Sequence, residues 1–289
     1  MNVAVLGASG VVGAALVRKL AEEHAVTAVA RRPGDVEGVD WVPADLTSEA
    51  DAERALASAD VAVHLIHSLG SSDFEERDIQ IARNVARAAE RAGVSQIVYL
   101  GGLGDDSPTL SDHLRSRRET AGALASGSVP VTTLQAGMVV GPGSAAFETI
   151  VALVDRLPAM ICPRWVSVPT QPIALVDTVA YLAGVIGLEA AYGETFDIGG
   201  PEVMTYREMI DRIARVRGKR PVIIEVPVLT PRLSSWWLHL VTPVKASVAR
   251  PLIDGLRNPT VMRDERIREL VPLELTTFDD AVREALSAR

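Results

Sequence analysis

Cysteine is nearly absent from the 289 residues, and the only one is Cys162. A single thiol excludes an internal disulfide framework and suits a reducing compartment. Cys162 lies in an apolar stretch and reads as a small buried hydrophobe rather than a nucleophile. No run approaches 18 apolar residues, so no transmembrane segment is expected. The opening apolar run is broken by glycines and lacks the flanks of a signal peptide, which makes a soluble, cytoplasmic protein the expectation. Positive charge is in deficit as well, with 29 Lys and Arg against 37 Asp and Glu and a net charge of −8. That argues against nucleic acid as a partner, because phosphate backbones need a basic face. A local basic pocket remains open.

The chain is rich in apolar residues, 48% in all, which argues against disorder, and it is long enough for one large or two ordinary domains. Its opening stretch organises the rest. Val3 to Leu6 is a short apolar run without helical period, as expected for a strand covered on both faces. Leu16, Val17 and Leu20 then recur at helical spacing. Between strand and helix stands Gly7-Ala8-Ser9-Gly10-Val11-Val12-Gly13. A bound phosphate needs a turn without side chains, backbone N–H groups and the positive end of a helix dipole. Gly7 permits the turn, Gly10 a close backbone approach, and Gly13 the packing of helix on strand. The bland alternative is a structural turn that binds nothing.

Strands and helices alternate through the first half. Strands are expected at Ala25–Ala30, Asp40–Pro43, Val61–Ile66, Gln96–Leu100 and Val131–Gln135. Helices are expected at Ser48–Ala59, with Ser48 as N-cap, at Phe74–Ala92, closed by Gly93, and at Leu110–Ala125. This rhythm predicts an α/β fold, a Rossmann-type doubly wound parallel sheet. From about Gly141 prolines become frequent and longer connections replace tight units. Helices are expected at Val179–Ala191 and Tyr206–Arg217, and a strand at Val222–Val228. We read residues 1–289 as a single domain, with a dinucleotide-binding core over about 1–141 and a small C-terminal substrate lobe over 142–289. No internal repeat or low-complexity tail is evident.

Several motifs in order carry a family resemblance: the glycine loop; Ala44-Asp45-Leu46; Ala59-Asp60-Val61-Ala62-Val63-His64-Leu65; Gly137-Met138-Val139-Val140-Gly141-Pro142-Gly143; Pro172 to Ala180; and Phe196-Asp197-Ile198-Gly199-Gly200-Pro201. Over essentially its whole length the chain resembles the extended or atypical short-chain dehydrogenases/reductases. Tyr99 to Gly104 and His113-Leu114-Arg115-Ser116-Arg117 resemble a bacterial NAD(P)H-binding branch, distantly similar to NmrA-type regulators and to the dehydrogenase-like accessory subunit of respiratory complex I. An extra C-terminal domain found in some relatives is not expected after Thr277 to Leu286.

A ribose 2′-hydroxyl is usually held by an acidic residue at the end of the second strand. No acid lies between Ala25 and Gly34; Arg31 and Arg32 follow the strand instead. A guanidinium fork suits a phosphate, so NADP(H) is favoured over NAD(H); the alternative is a solvated turn before Pro33-Gly34. By resemblance Asp45 and Leu46 sit at the adenine, although Asp45 could instead cap the following helix, and Ile66-His67-Ser68 pass near the inner ribose. His64 and His67 point to opposite faces if both lie on a strand, so no metal site is expected.

The family's chemistry uses a tyrosine with a lysine four residues on. Beyond Tyr99, Tyr181, Tyr192 and Tyr206 the residues four on are Leu103, Val185, Phe196 and Ile210, and the only lysines are Lys19, Lys219 and Lys245. The usual dyad is missing. Aligning the motif puts His113 at the tyrosine, Arg117 at the lysine, and Gly101 and Gly102 where a serine belongs. One helical turn keeps His113 and Arg117 on one face. Arg117 would hold ribose, and His113 would act as proton donor with its pKa depressed by the guanidinium.

Two functions therefore stand: an oxidoreductase moving hydride to or from a small apolar carbonyl or quinone, and a non-catalytic NADP(H)-binding redox sensor, regulator or assembly factor. Ser144–Trp165 and Val222–Pro259 are expected to wall the nicotinamide end. The Trp236-Trp237 stretch suits core packing, a greasy pocket, a membrane surface or a subunit contact, and His239 reads as a structural partner. The resemblance also implies a homodimer through the helices at Phe74–Ala92 and Leu110–Ala125.

Overall fold

The computed structural model describes residues 1–32, 34, 36, 38–68, 74–104, 111–226 and 258–288. Pro33, the Trp236-Trp237 stretch, His239 and Lys245 lie outside the described residues.

The first half runs β1 (Asn2–Leu6), α1 (Val11–Leu20), β2 (Ala25–Ala30), β3 (Asp40–Pro43), α2 (Glu49–Leu56), β4 (Val61–His64), α3 (Phe74–Ala92), β5 (Gln96–Gly102), α4 (Asp112–Leu124) and β6 (Val131–Ala136). Then follow β7 (Val139–Val140), α5 (Ala145–Arg156), β8 (Ala159–Pro163), β9 (Pro169–Thr170), β10 (Ile173–Ala174), α6 (Leu175–Val185), β11 (Thr195–Ile198), β12 (Met204–Thr205), α7 (Tyr206–Val216), β13 (Val222–Val226), α8 (Arg266–Leu270) and α9 (Phe278–Ser287). Seven strands form the central sheet in the order β11-β6-β5-β4-β1-β2-β3, and every neighbouring pair is parallel. The direction of winding reverses between β1 and β4, and the C-terminal edge at such a switch point is where open α/β sheets bind ligands.

Helices cover both faces because each has one apolar stripe to bury. Leu16, Val17 and Leu20 of α1 pack with Val179, Leu182 and Val185 of α6 on one face. On the other, Leu56 of α2, Ile81 and Val85 of α3 and Leu124 of α4 close the core. Each such buried aliphatic contributes about 1.5–3 kcal/mol. A third cluster joins Phe147 and Val151 of α5, Ile210 and Ile213 of α7, and Phe278 and Val282 of α9. Charge reinforces it. Arg212 grips Glu202 through two bonds of 2.9 and 3.2 Å and Asp279 through one of 2.7 Å.

Helix starts follow their caps. Ser48 accepts from the Asp51 amide at 3.4 Å, and Ser111 from the Leu114 amide at 3.3 Å. Thr205 and Glu208 form a reciprocal capping box at the start of α7. β4 stops at His64 rather than Ile66, β11 and α9 were not among the expected elements, and two further segments depart from the sequence expectation. Residues 145–156, read as irregular connection, form α5, whose Phe147, Val151 and Val154 recur at helical spacing and are buried. The helix expected over Val179–Ala191 begins earlier, at Leu175, and stops at Val185. Ile186 is extended there, and Gly187 takes φ +70°, a conformation that favours glycine and turns the chain out of the helix.

Candidate functional site

The turn after β1 is built by its glycines. Gly7 adopts φ +92°, and the amides of Gly7 and Ala8 donate to the Val29 carbonyl at 2.9 and 3.1 Å, fastening the loop to β2. A Cβ on Gly13 would stand 2.3 Å from the Gly7 carbonyl oxygen and 2.9 Å from the Ala8 Cα, so only glycine lets α1 close on the loop. A Cβ on Gly10 would meet the Gly7 oxygen at 3.3 Å and nothing else within 4 Å, leaving its outer side open. The first turn of α1 carries no acidic residue and no side-chain cap. Its first backbone bond runs from Ala14 to Gly10, so the amides of Val11, Val12 and Gly13 precede the intrahelical ladder. Open glycine backbone, unladdered amides and a positive helix end fit a dinucleotide pyrophosphate.

Above the loop lies a cleft with two lobes. One, of about 610 Å³, is bordered by Ser9, Arg31, Asp45, Leu46 and the loop Ile66-His67-Ser68. The other, of about 380 Å³, is bordered by Val11, Val12, Gly13, His113, Arg117 and apolar walls from Leu103, Met138 and Val139. Gly7, Gly10, Leu65 and His67 border both, so the lobes form one trough across the ends of β1 and β4.

In the larger lobe Arg31 makes no hydrogen bond or ion pair among the described residues. Arg32 is exposed and does not border the cleft, so of the expected pair only Arg31 faces it. Ala8 is buried and contributes its backbone to the loop, not its side chain to the cleft. Asp45 accepts from the amide and hydroxyl of Thr47 at 3.1 and 2.8 Å and lies 3.6 Å from Arg77. Partial burial would raise its carboxyl, but the Thr47 bonds and the Arg77 and Arg31 charges prevail and hold it below the usual carboxylate range. The helix that follows is capped by Ser48, so the alternative of Asp45 as its cap is set aside. The amide of Ser68 donates to Asp78 at 3.2 Å. Asp78 is buried, and desolvation raises its carboxyl.

In the smaller lobe α4 brings His113 and Arg117 together, as the spacing predicted. The Arg117 guanidinium donates to the Leu100 carbonyl and lies over the Tyr99 ring, 5.2 Å from its centre. The Tyr99 hydroxyl donates to the Arg117 carbonyl at 3.0 Å. His113 is half-buried, and its pKa is lowered to about 3, by burial first and by the charges of Arg117 and His67 after it. The sequence reading credited the guanidinium; desolvation is the larger cause. Near neutral pH the ring is uncharged and offers a single N–H. A Cβ on Gly102 would stand 2.8 Å from Leu114 Cδ2, so Leu114 fills the space where the family places a serine.

The two other histidines differ. His64 ends β4, is fully buried with neither ring nitrogen hydrogen-bonded, and is lowered to about 3 by burial and then by Arg117. His67 lies beyond the strand and is exposed in the cleft. Burial against the surrounding walls, followed by the charge of Arg117, depresses its basicity. Among the described residues no cluster of three His, Cys, Asp or Glu could hold a metal ion, and no helix is long and apolar enough to cross a membrane. Cys162 is buried.

Sequence reasoning did not single out Tyr206 and Thr260, which border the smaller lobe from far along the chain. The helix expected at Tyr206–Arg217 does begin at Tyr206, but nothing local marked its first residue as facing a cavity.

Comparison with known proteins agrees with this geometry. A family described as NAD(P)H-binding matches residues 7–136. A (4-alkanoyl-5-oxo-2,5-dihydrofuran-3-yl)methyl phosphate reductase of Streptomyces griseus is 31% identical over 233 residues, covering 76% of this chain and 75% of that protein. The NADH dehydrogenase [ubiquinone] 1 alpha subcomplex subunit 9 of Arabidopsis thaliana is 22% identical, over 77% of this chain and 60% of that one. In fold, the NADPH-dependent quinone oxidoreductase of Escherichia coli complexed with NADPH superposes with a TM-score of 0.79 at 21% identity, over 98% of this chain and 99% of that one. The chain belongs to the family of the Streptomyces griseus reductase, and its residues 7–136 match an NAD(P)H-binding family.

Proposed function

We propose that the protein is a reductase of small apolar carbonyl or quinone compounds that uses NADP(H) in preference to NAD(H). The observation that carries this reading is the continuity of the trough: the glycine loop that fits a pyrophosphate opens into a lobe walled by Leu103, Met138 and Val139. A bound dihydronicotinamide would supply a hydride there. The amides of Val11, Val12 and Gly13 hold the pyrophosphate, and Arg31 binds the 2′-phosphate through charge-assisted hydrogen bonds. Asp45 and Leu46 flank the adenine, and the loop Ile66-His67-Ser68 lies along the inner ribose. Arg117 contacts ribose by exchanging its bond to Leu100. His113, uncharged, donates its N–H to the substrate oxygen and stabilises developing negative charge without carrying a charge itself. The apolar walls exclude water.

The Streptomyces relative is named for a phosphate-bearing compound. In this chain the only cation bordering the smaller lobe among the described residues is Arg117, already engaged at Leu100, which favours an uncharged substrate. Titration with NADPH and NADH separately, followed by NADPH oxidation against a panel of ketones and quinones, tests the reading. Turnover with at least one neutral member is expected; absence of binding by either nucleotide overturns it.

A second reading, a dinucleotide-binding sensor or assembly factor without turnover, is favoured by one observation. The tyrosine and lysine of the family are replaced by a half-buried neutral histidine and an arginine occupied by a backbone carbonyl. Nucleotide-dependent co-purification of a partner with no NADPH consumption would select it.

A further inference from the structure

We propose that Tyr206, supported by Thr260 and Thr170, is the anchor that holds the oxygen of a neutral carbonyl or quinone in the smaller lobe. The proposal rests on the reductase reading above and adds a specificity-determining residue to it. Among the described residues Tyr206 is the one tyrosine bordering that lobe. It opens α7, where the capping box between Thr205 and Glu208 fixes the backbone. Its phenol lies beside both threonine hydroxyls, and those hydroxyls lie 2.7 Å apart, within hydrogen-bonding distance of each other. All three side chains are buried, at 5%, 7% and 0% exposure for Tyr206, Thr260 and Thr170. Buried hydroxyls can satisfy one another and stiffen the wall, and those that also border a cavity can in addition meet a polar group inside it.

Two features turn the group toward the cavity. Tyr206 and Thr260 both border it, whereas Thr170 stands behind them. Gly137 also borders it, and a Cβ there would stand 3.6 Å from Thr260 Oγ1, so glycine leaves that hydroxyl uncovered. A ligand oxygen that meets the phenol receives its O–H bond while the bond between Thr170 and Thr260 persists. Burial raises the phenol above its ordinary value, so it keeps its proton and acts as a donor throughout the neutral range. Among the described residues no cation borders this side, so the matching group is an uncharged oxygen rather than a carboxylate or phosphate.

The test compares two probes of like shape, 2,3-dimethyl-1,4-naphthoquinone and the hydrocarbon 2,3-dimethylnaphthalene. Their affinities are measured by saturation-transfer NMR with and without NADP+, alongside an NADPH titration and a thermal melt. The wild-type chain should prefer the quinone. Tyr206→Phe should weaken quinone binding about tenfold, the scale of one lost hydrogen bond, while hydrocarbon and NADPH affinities stay within about twofold. Thr260→Val should show the same pattern to a smaller extent, and Thr260→Ser should restore the quinone. A purely structural role would lower the melting temperature and move both probes together. Equal quinone affinity in wild type and Tyr206→Phe, parallel loss of both probes, or no quinone preference in the wild type would each overturn the anchor. Failure of NADPH to bind would instead overturn the reductase reading, and the quinone arm without nucleotide would still decide the anchor.

Discussion

The two lobes of the trough are built on different principles. The larger lobe comes from consecutive loops at the ends of β1, β2, β3 and β4, and is furnished with glycine backbone, Arg31, Arg77 and Asp45. The smaller lobe gathers α1, α4, the residues after β6, the start of α7 and Thr260, and is mainly apolar. A nucleotide presents the same charges to every protein that binds it, so its site can be written in short local motifs. Under the proposed reading, the substrate would be met by walls drawn from separated parts of the chain.

Four changes would break or sharpen that contrast. The largest effect is expected at Gly13. Gly13→Ala puts a methyl 2.3 Å from a backbone oxygen, which should cost about 3 kcal/mol in urea unfolding and abolish NADPH binding; a variant that bound normally would place the nucleotide elsewhere. Next comes His113→Leu, expected to lower turnover about 100-fold with NADPH affinity unchanged. Because the ring titrates near 3, the wild-type rate should show no histidine limb between about pH 5 and 8. A limb near 6.5 would mean that a charged ring does the work.

Arg31→Ala belongs wholly to the larger lobe. It should weaken NADPH about 10–100-fold, as expected for a lost charge-assisted bond to phosphate, and leave NADH within about twofold in parallel titrations. Equal losses for both nucleotides would remove the phosphate role. The smallest change concerns His64, beneath both lobes. Its native pKa is about 3 against about 6.5 when unfolded. Between those values the unfolded chain binds more protons, so stability rises with pH and falls on acidification. His64→Leu should therefore lose about 2 kcal/mol less than wild type between pH 7 and 5, read from urea melts at each pH. Identical slopes would show that the ring is charged or solvated in the native chain.

What was legible in the sequence follows the same division. β2, β3 and α3 have the limits expected of them, because their apolar runs end in turn-forming residues. The strand, glycines and helix of the opening loop were readable because they are contiguous. Arg31 was singled out through an absence, that of an acid after β2, and it borders the larger lobe, though the parallel choice of Arg32 could not separate one side of a turn from the other. α5 was passed over because Gly141, Pro142 and Gly143 signal a break, while the buried spacing of Phe147, Val151 and Val154 lies beyond them. Tyr206 was visible only as a residue lacking lysine four positions on. Its meeting with Thr260 depends on the pairing of Thr170 with Thr260 across ninety positions, which no local pattern encodes.

Arg117 enters any encounter with nucleotide already bonded to Leu100 and stacked on Tyr99. Drawing it onto a ribose trades one oxygen for another, so the affinity gained is the difference between two attachments rather than the whole of the second. Under the proposed reading, an arginine held this way would discriminate by competition: a poorly seated nucleotide would leave it on the protein's own backbone, and a well-seated one would recruit it.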